Sequence, residues 1–332
     1  MIRHRDAMTL LARCLPRPGV IDGLPREDRL FEVEPGSKIL GHCHWRPDAR
    51  RQPTLILVHG FEGCSDSHYM LGIAGKAWRA GFNVVRLNQR NCGGTEYLTP
   101  TLYHSGMSQD FLTVARELTA QDGIEAIWLV GYSMGGNLVL NAAGQAATSF
   151  SALKGVAAVC PNIDPAAAVA TLEHPRNWIY HRHFLKSLQA RMRRKSNYFP
   201  GMYDLSRLHQ IRTLREFDDL YTAPAGGFSD AYDYYERTGA RHVLDRIGVP
   251  TLIITSQDDP FIPYATFDLP ALHQNPRIQF IAPPHGGHCG FIQRPRTDED
   301  FYWAENRIIE FMTGCEAAQR TDGHTILTAL HG

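Results

Sequence analysis

Residues 127–137, Ile127-Trp128-Leu129-Val130-Gly131-Tyr132-Ser133-Met134-Gly135-Gly136-Asn137, run from an apolar strand through a serine on a tight turn into a helix. Gly131, Ser133 and Gly135 fit G-x-S-x-G, in which the serine takes a strained backbone and small neighbours so that its Oγ stands clear at the sheet edge. Five residues alone decide little, because Gly and Ser are common. The setting decides more. Ala126 to Val130 reads as a buried strand and Asn137 to Ala143 as a helix start, the strand-turn-helix context that the motif requires. That context disfavours the competing reading, a Gly/Ser turn without chemistry.

Working outward, Thr54 to Val58 is an apolar run of the kind buried on both faces by helices. It ends in His59-Gly60-Phe61-Glu62-Gly63. An acyl-transfer site needs two backbone N–H groups aimed at the developing oxyanion, one following the nucleophile and one from this loop. The N–H groups of Met134 and Phe61 are the candidates; His59 reads as a structural residue that opens the loop rather than as a base. A helix over 69–80 ends at Gly81, and a second parallel strand, 82–88, leads into the loop 89–95. Its Gly93-Gly94 pair could cradle phosphate, but neither G-x-G-x-x-G nor G-x-x-x-x-G-K-[ST] occurs in the chain, which disfavours nucleotide binding. Phe111, Val114, Ala115 and Leu118 mark an amphipathic crossover helix, and 153–161 is another buried strand. Strand and helix alternate over 54–161, which predicts an α/β fold with a mostly parallel, doubly wound sheet. A hairpin over 30–45 sits at the sheet edge. Its His42 and His44 share a strand face but lack a third metal ligand, so they read as solvated strand histidines.

The alternation stops over residues 162–246 and resumes at the strand 250–255. Such a break reads as a helical lid or cap inserted over the strands' carboxyl ends. Arg176, Arg182, Lys186, Arg191, Arg193, Arg194 and Lys195 fall there with no acid from Asn177 through Tyr203. They read first as a solvated lid face and second as a patch for anionic headgroups at a membrane surface. Trp178, Tyr180, Phe184, Tyr198, Phe199 and Tyr203 are candidates for lining an acyl pocket or for packing the lid onto the body. The last strand, 277–282, precedes a helix over 301–313, whose Ala304, Ile308, Phe311 and Met312 form one apolar stripe that Gly314 is expected to stop. The resulting division is a surface segment at 1–29 with no assigned chemistry, a catalytic domain over 30–161 and 247–314, the lid 162–246, and a polar tail 315–332.

A serine hydroxyl needs a general base, and that imidazole needs a carboxylate to fix its tautomer. Strand ends supply both. Asp259, in a sharp Asp-Pro turn before Pro260, is preferred over Asp258; His288, flanked by Gly287 and by Cys289-Gly290, is preferred over His285, which is closer to the strand. The catalytic set is therefore Ser133, Asp259 and His288.

Lysine plus arginine equals aspartate plus glutamate at 34 each, which argues against a nucleic-acid binder held by a global basic field. Seven scattered cysteines without a C-x-x-C pair read as reduced thiols in a cytoplasmic protein, neither a disulfide framework nor a zinc site. No stretch reaches the ~18 apolar residues of a membrane span, and the N-terminal residues make too weak an apolar run for a secretory signal. The expected partner is a small ester, lipids included, with no cofactor, metal or nucleic acid.

Five motifs stand in register: H-G-F-E-G at 59–63, N-x-R-x-C-G-G at 88–94, G-Y-S-M-G-G-N at 131–137, D-D-P-F at 258–261 and H-G-G-H-x-G-F at 285–291. Together they resemble the YheT-like branch of the α/β-hydrolases, which includes bacterial carboxylesterases and eukaryotic abhydrolase-domain lipases. The resemblance covers about residues 30–313. It implies the α/β-hydrolase fold, Ser133, Asp259 and His288 as the triad, and esterase or lipase activity. Fold and triad alone leave thioesterase, amidase and acyltransferase chemistry open, as well as a relative that only binds ligand.

Overall fold

The computed structural model describes residues 4–15, 17, 21, 23–146 and 149–329, with backbone only from 319 onward. A short helix, Arg5–Leu11 (α1), precedes the hairpin Glu27–Glu34 (β1) and Ser37–His44 (β2). β1 starts before the expected Leu30 because Glu27, Asp28 and Arg29 pair through their backbones with Cys43, His42 and Gly41. Ladder hydrogen bonds of this kind leave no apolar signature. His42 and His44 are buried rather than solvated: their Nδ1 atoms lie 2.6 Å from Asp28 Oδ1 and 3.0 Å from the Pro25 carbonyl.

Thr54–Val58 (β3), Asn83–Leu87 (β4) and Ile127–Tyr132 (β5) are buried at every position. Period-2 alternation divides their side chains between two cores. Leu55, Leu57 and Val130 pack with Ile73 of His68–Arg79 (α2) and Ile308 of the C-terminal helix. Ile56, Val58 and Leu129 pack with Phe111 of Ser108–Asp122 (α3) and Leu138 of Met134–Ala146 (α4). Each such side chain contributes about 1.5–3 kcal/mol by leaving water, so the helices are held on both faces.

With Leu153–Val159 (β6), Thr251–Ile254 (β7) and Ile278–Ile281 (β8), the eight strands order as β1-β2-β4-β3-β5-β6-β7-β8. β1 and β2 run antiparallel to their neighbours and all other pairs are parallel. The order reverses at β3. Val58 is in register with Gly131 across the β3–β5 pair, so the loops following both strands leave the sheet side by side. Crevices of this kind, at the carboxyl ends next to a reversal, are where open α/β sheets place their sites.

Between β6 and β7 the described structure is helical, with Pro165–Glu173 (α5), Trp178–Tyr198 (α6) and shorter helices up to Arg246. The C-terminal helix, Trp303–Ala329, does not stop at Gly314. No proline follows that glycine; Cys315-Glu316-Ala317-Ala318 continues with good helix formers, and an internal glycine costs only about 1 kcal/mol. Glu316 also accepts from Trp128 Nε1 at 2.7 Å, tying the extension to β5.

Candidate active site

Ser133 has φ +54°, a left-handed conformation rare for a residue with a side chain. Its N–H donates to the Val159 carbonyl at 2.8 Å, and its own carbonyl accepts from Asn137 and Asn162. The turn closes so tightly that a Cβ on Gly131 would lie 2.1 Å from the Gly135 oxygen, and one on Gly135 would lie 2.3 Å from the Val58 oxygen. Strain of this kind costs on the order of 1–3 kcal/mol and is borne by the surrounding packing. α4 begins at Met134, directly after the serine rather than at Asn137, so the Met134 N–H is one of the helix's unsatisfied first donors.

The loop after β3 is fixed from behind by His59. Its Nδ1–H donates to the Gly60 carbonyl at 2.7 Å, and Nε2 accepts the Gln89 N–H at 3.1 Å. Burial pushes this imidazole down to about 4 despite the Gly60 contact, so it stays neutral and structural. Gly60 donates to Tyr69 Oη at 2.9 Å, and the Phe61 N–H has no acceptor among the described residues. Phe61 and Met134 thus leave free N–H groups in the loops that flank Ser133.

On the far side, Asp259 Oδ2 lies 2.8 Å from His288 Nδ1, while Oδ1 accepts the N–H groups of Phe261 (2.7 Å) and Ile262 (3.0 Å). The Asp259 side chain is fully buried, so these three donors are what make a carboxylate tenable there. They also place a proton on Nδ1 and leave Nε2 as the basic nitrogen. Burial alone would lower the His288 pKa; the Asp259 carboxylate outweighs it and holds the imidazole above its ordinary value. Phe261 packs against the ring, with centroids 4.6 Å apart. Asp258 plays a different part. Its Oδ1 accepts Gly286 and Gly287 N–H groups at 2.9 and 3.0 Å, and its Oδ2 meets His285 Nδ1 at 3.1 Å. Asp258 and His285 brace the loop that carries His288.

Ser133, Phe61, Met134 and His288 all line one cavity of about 780 Å³ beneath the inserted helices. Of the aromatic candidates, Tyr180 and Phe184, one turn apart on α6, face this cavity. Trp178 and Tyr198 lie on the outer face, 57% and 54% exposed. Tyr203 turns to the Pro100 carbonyl, and Phe199 packs under the Lys195 ammonium. Phe217, Tyr234, Tyr235 and Phe261, not anticipated from the sequence as lining, are among the other aromatics on its wall.

The basic run on α6 is not one solvated face. Lys195 is fully buried, with Nζ on Asn91 Oδ1 (2.5 Å) and the Thr99 carbonyl (2.6 Å). Arg191, also buried, reaches Glu62 Oε1 at 3.1 Å and Cys92 Sγ at 2.8 Å; Arg194 pairs with Glu96, and Arg193 is left exposed. Ser187 Oγ and Tyr103 Oη donate to the same Glu62 carboxylate. Glu62, beside Phe61, therefore fastens the loop after β3 to the insertion, a role that no local pattern announced.

The N-terminal segment also belongs to the site. Thr9, Leu10 and Arg13 line the cavity, and Thr9 Oγ1 accepts the His288 N–H at 2.9 Å. Sequence spacing holds no metal signature, yet the donor atoms of Cys160, His288 and Cys289 lie within 4.8 Å of one another. No helix among the described residues is long and apolar enough to cross a membrane.

Residues 53–295 match the family described as alpha/beta hydrolase fold. The chain belongs to the α/β-hydrolase family. Among the relatives of this α/β-hydrolase is YheT of Escherichia coli (strain K12), 33% identical over 80% of the chain and 78% of YheT, which places it in the YheT-like branch. Phospholipase ABHD3 of Bos taurus is 29% identical over 74% of the chain, and the match spans only 60% of that protein. Medium-chain fatty acid ethyl ester synthase/esterase 2 of Saccharomyces cerevisiae is 26% identical over 79% of the chain and 62% of its own length. Two solved structures share the fold: Est1E from Butyrivibrio proteoclasticus (TM-score 0.54, 17% identity, 87% of this chain and 99% of Est1E) and the esterase Pf2001 from Pyrococcus furiosus (TM-score 0.58, 15% identity, 87% and 90%). The sequence matches support hydrolase activity for this α/β-hydrolase; the two solved structures bear on the fold.

Proposed function

We propose that the protein hydrolyses carboxylic esters through an acyl-enzyme on Ser133, with His288 as general base and Asp259 as its orienting carboxylate. The observation that carries this reading is the Asp259–His288 contact of 2.8 Å, with His288 in the wall of the cavity that Ser133, on its strained turn, also lines and Asp259 buried behind it. Ser133 Oγ attacks the acyl carbonyl as His288 Nε2 takes its proton, and the N–H groups of Phe61 and Met134 receive the developing oxyanion. The imidazolium, stabilised by Asp259, returns the proton to the leaving alkoxide. Water activated by the same imidazole then releases the acid.

A short-chain p-nitrophenyl ester tests this directly. Wild type hydrolyses it, and Ser133→Ala loses on the order of 10⁴-fold or more in kcat. Undiminished turnover by that variant would sink Ser133 as nucleophile, and failure of a fluorophosphonate probe to label Ser133 would point to a ligand-binding relative without turnover. A second reading, acyl transfer to an alcohol, draws on the yeast relative named as both an ester synthase and an esterase. Ethanol added to the assay separates the two: transfer yields ethyl ester, hydrolysis free acid. The seven cysteines, none in a disulfide, agree with work in a reducing cytoplasm, and the apolar side chains along the cavity accommodate a lipid acyl chain.

A further inference from the structure

Cys160 follows β6, and Cys289 follows His288 in the loop after β8. The two cysteines are 129 residues apart in sequence, yet the Cys289 N–H points at Cys160 Sγ across 3.3 Å. Both have left-handed backbones, φ +44° and +60°. Their sulfurs and a ring nitrogen of His288 lie within 4.8 Å of one another. The ester-hydrolysis mechanism uses neither thiol.

We infer that Cys160, His288 and Cys289 form a binding site for a thiophilic divalent cation, Zn(II) foremost, and that its occupation withdraws the imidazole from acid–base work. The second clause rests on the serine-hydrolase reading; the first does not.

Two sulfurs and an imidazole are a soft donor set that suits zinc and disfavours magnesium or calcium. Zinc–ligand distances of about 2.3 Å to sulfur and 2.0–2.1 Å to nitrogen, with tetrahedral angles, put donors about 3.5–3.8 Å apart, inside the spread seen here. Asp259 already holds Nδ1, leaving the ring's lone pair on Nε2, and a carboxylate behind a histidine is the outer partner that zinc-bound histidines usually have. His288 and Cys289 line the cavity while Cys160 is buried behind them, so a cation reaches the three donors from the cavity side. Three protein ligands with an open position make a site that exchanges its ion. Binding releases one proton from each thiol to water. A ring nitrogen engaged by the cation is withdrawn from proton transfer at Ser133.

The test uses the full chain, stripped with a chelator and titrated with Co(II) and Zn(II). One equivalent of Co(II) is expected to give a thiolate-to-cobalt charge-transfer band, displaced by Zn(II), and one equivalent of Zn(II) to suppress p-nitrophenyl ester turnover at least about tenfold. Cys289→Ser should lose the band and require far more zinc for half-inhibition, at least the roughly 10–100-fold that accompanies even outer-shell losses. Each variant's inhibition is scored against its own metal-free rate. Cys160→Ser should behave alike; if that buried substitution unfolds the protein, Cys289→Ser, at a partly exposed position, carries the test. A wild type without the band, or a Cys289→Ser variant as zinc-sensitive as wild type, overturns the site. A normal band in a protein that hydrolyses no ester and takes no fluorophosphonate would overturn the hydrolase reading and leave the cation site standing.

Discussion

Thr9 Oγ1 accepts the backbone N–H of His288 at 2.9 Å while donating to the Arg5 carbonyl at 2.8 Å. The hydroxyl's donor and acceptor are both engaged, and α1 is tied to the loop that carries the proposed base. The fit is close, since a Cβ on Gly287 would lie 2.4 Å from the Arg5 oxygen. Thr9→Val keeps the volume and removes the hydroxyl. We expect a stability loss of about 1 kcal/mol and a several-fold fall in kcat with KM nearly unchanged, read by thermal melting and steady-state kinetics. An unchanged kcat would mean that the loop holds its own shape.

The neighbouring aspartates should separate cleanly. Asp259→Asn leaves an amide where His288 needs an acceptor, with an expected kcat loss on the order of 10⁴-fold by analogy with other triads. Asp258→Asn keeps an acceptor for the Gly286 and Gly287 N–H groups, so kcat should fall no more than about tenfold and stability by about 1–2 kcal/mol. Burial would raise the Asp258 carboxyl, but its hydrogen bonds, the Gly287 N–H foremost, hold it below its ordinary value. Its stabilisation is therefore full above the unfolded pKa of about 3.9 and is lost as pH falls through the lower folded value. Acid titrations of wild type and Asp258→Asn should converge below that window.

The pH–rate profile follows from His288. As the proposed base, His288 works only when neutral, so kcat/KM should rise with pH along a limb set by its pKa. Burial opposes the charge and the Asp259 carboxylate favours it, with the carboxylate prevailing. Asp259→Asn removes the favourable influence, so the limb should move toward acid even as the plateau falls. A limb that stays in place would detach it from His288. The same sign governs stability: the His288–Asp259 contribution is complete below the unfolded imidazole pKa and fades as pH rises through the folded one.

Lys195 and Arg193, two residues apart on α6, make a paired control. Lys195→Met strands the Asn91 and Thr99 acceptors in a buried position, for an expected loss of about 1–3 kcal/mol. Arg193→Ala, on the exposed side, should stay within about 0.5 kcal/mol of wild type. Denaturant melts compare them. Equal effects would contradict the inward direction of Lys195.

The sheet was legible because strands buried on both faces leave unbroken apolar runs, and the turn at Ser133 because Gly131 meets Gly135 inside the turn and Gly135 meets Val58 on the neighbouring strand, contacts that admit only glycine. The Asp-Pro argument selected Asp259, and the structure brings that residue, not Asp258, to His288. Elsewhere the deciding partners were remote. A basic run on a helix does not tell which cations turn inward: Lys195 meets Asn91 and Thr99 about a hundred residues away. Helix α1 has seven residues and is held by the body it packs on, so periodicity could not find it. Cys160 and Cys289 lack motif spacing because different strands deliver them.

The Glu62–Arg191 pair carries one more consequence. Removing one partner of a buried ion pair of this kind costs about 3–5 kcal/mol, and Lys195 adds a second inward anchor on the same helix. Held at these two inward points, α6 is expected to stay in place rather than swing open at an oil–water boundary. Turnover of a freely dissolved ester should then climb along a plain saturation hyperbola from the lowest concentrations, with no jump where the substrate begins to form micelles.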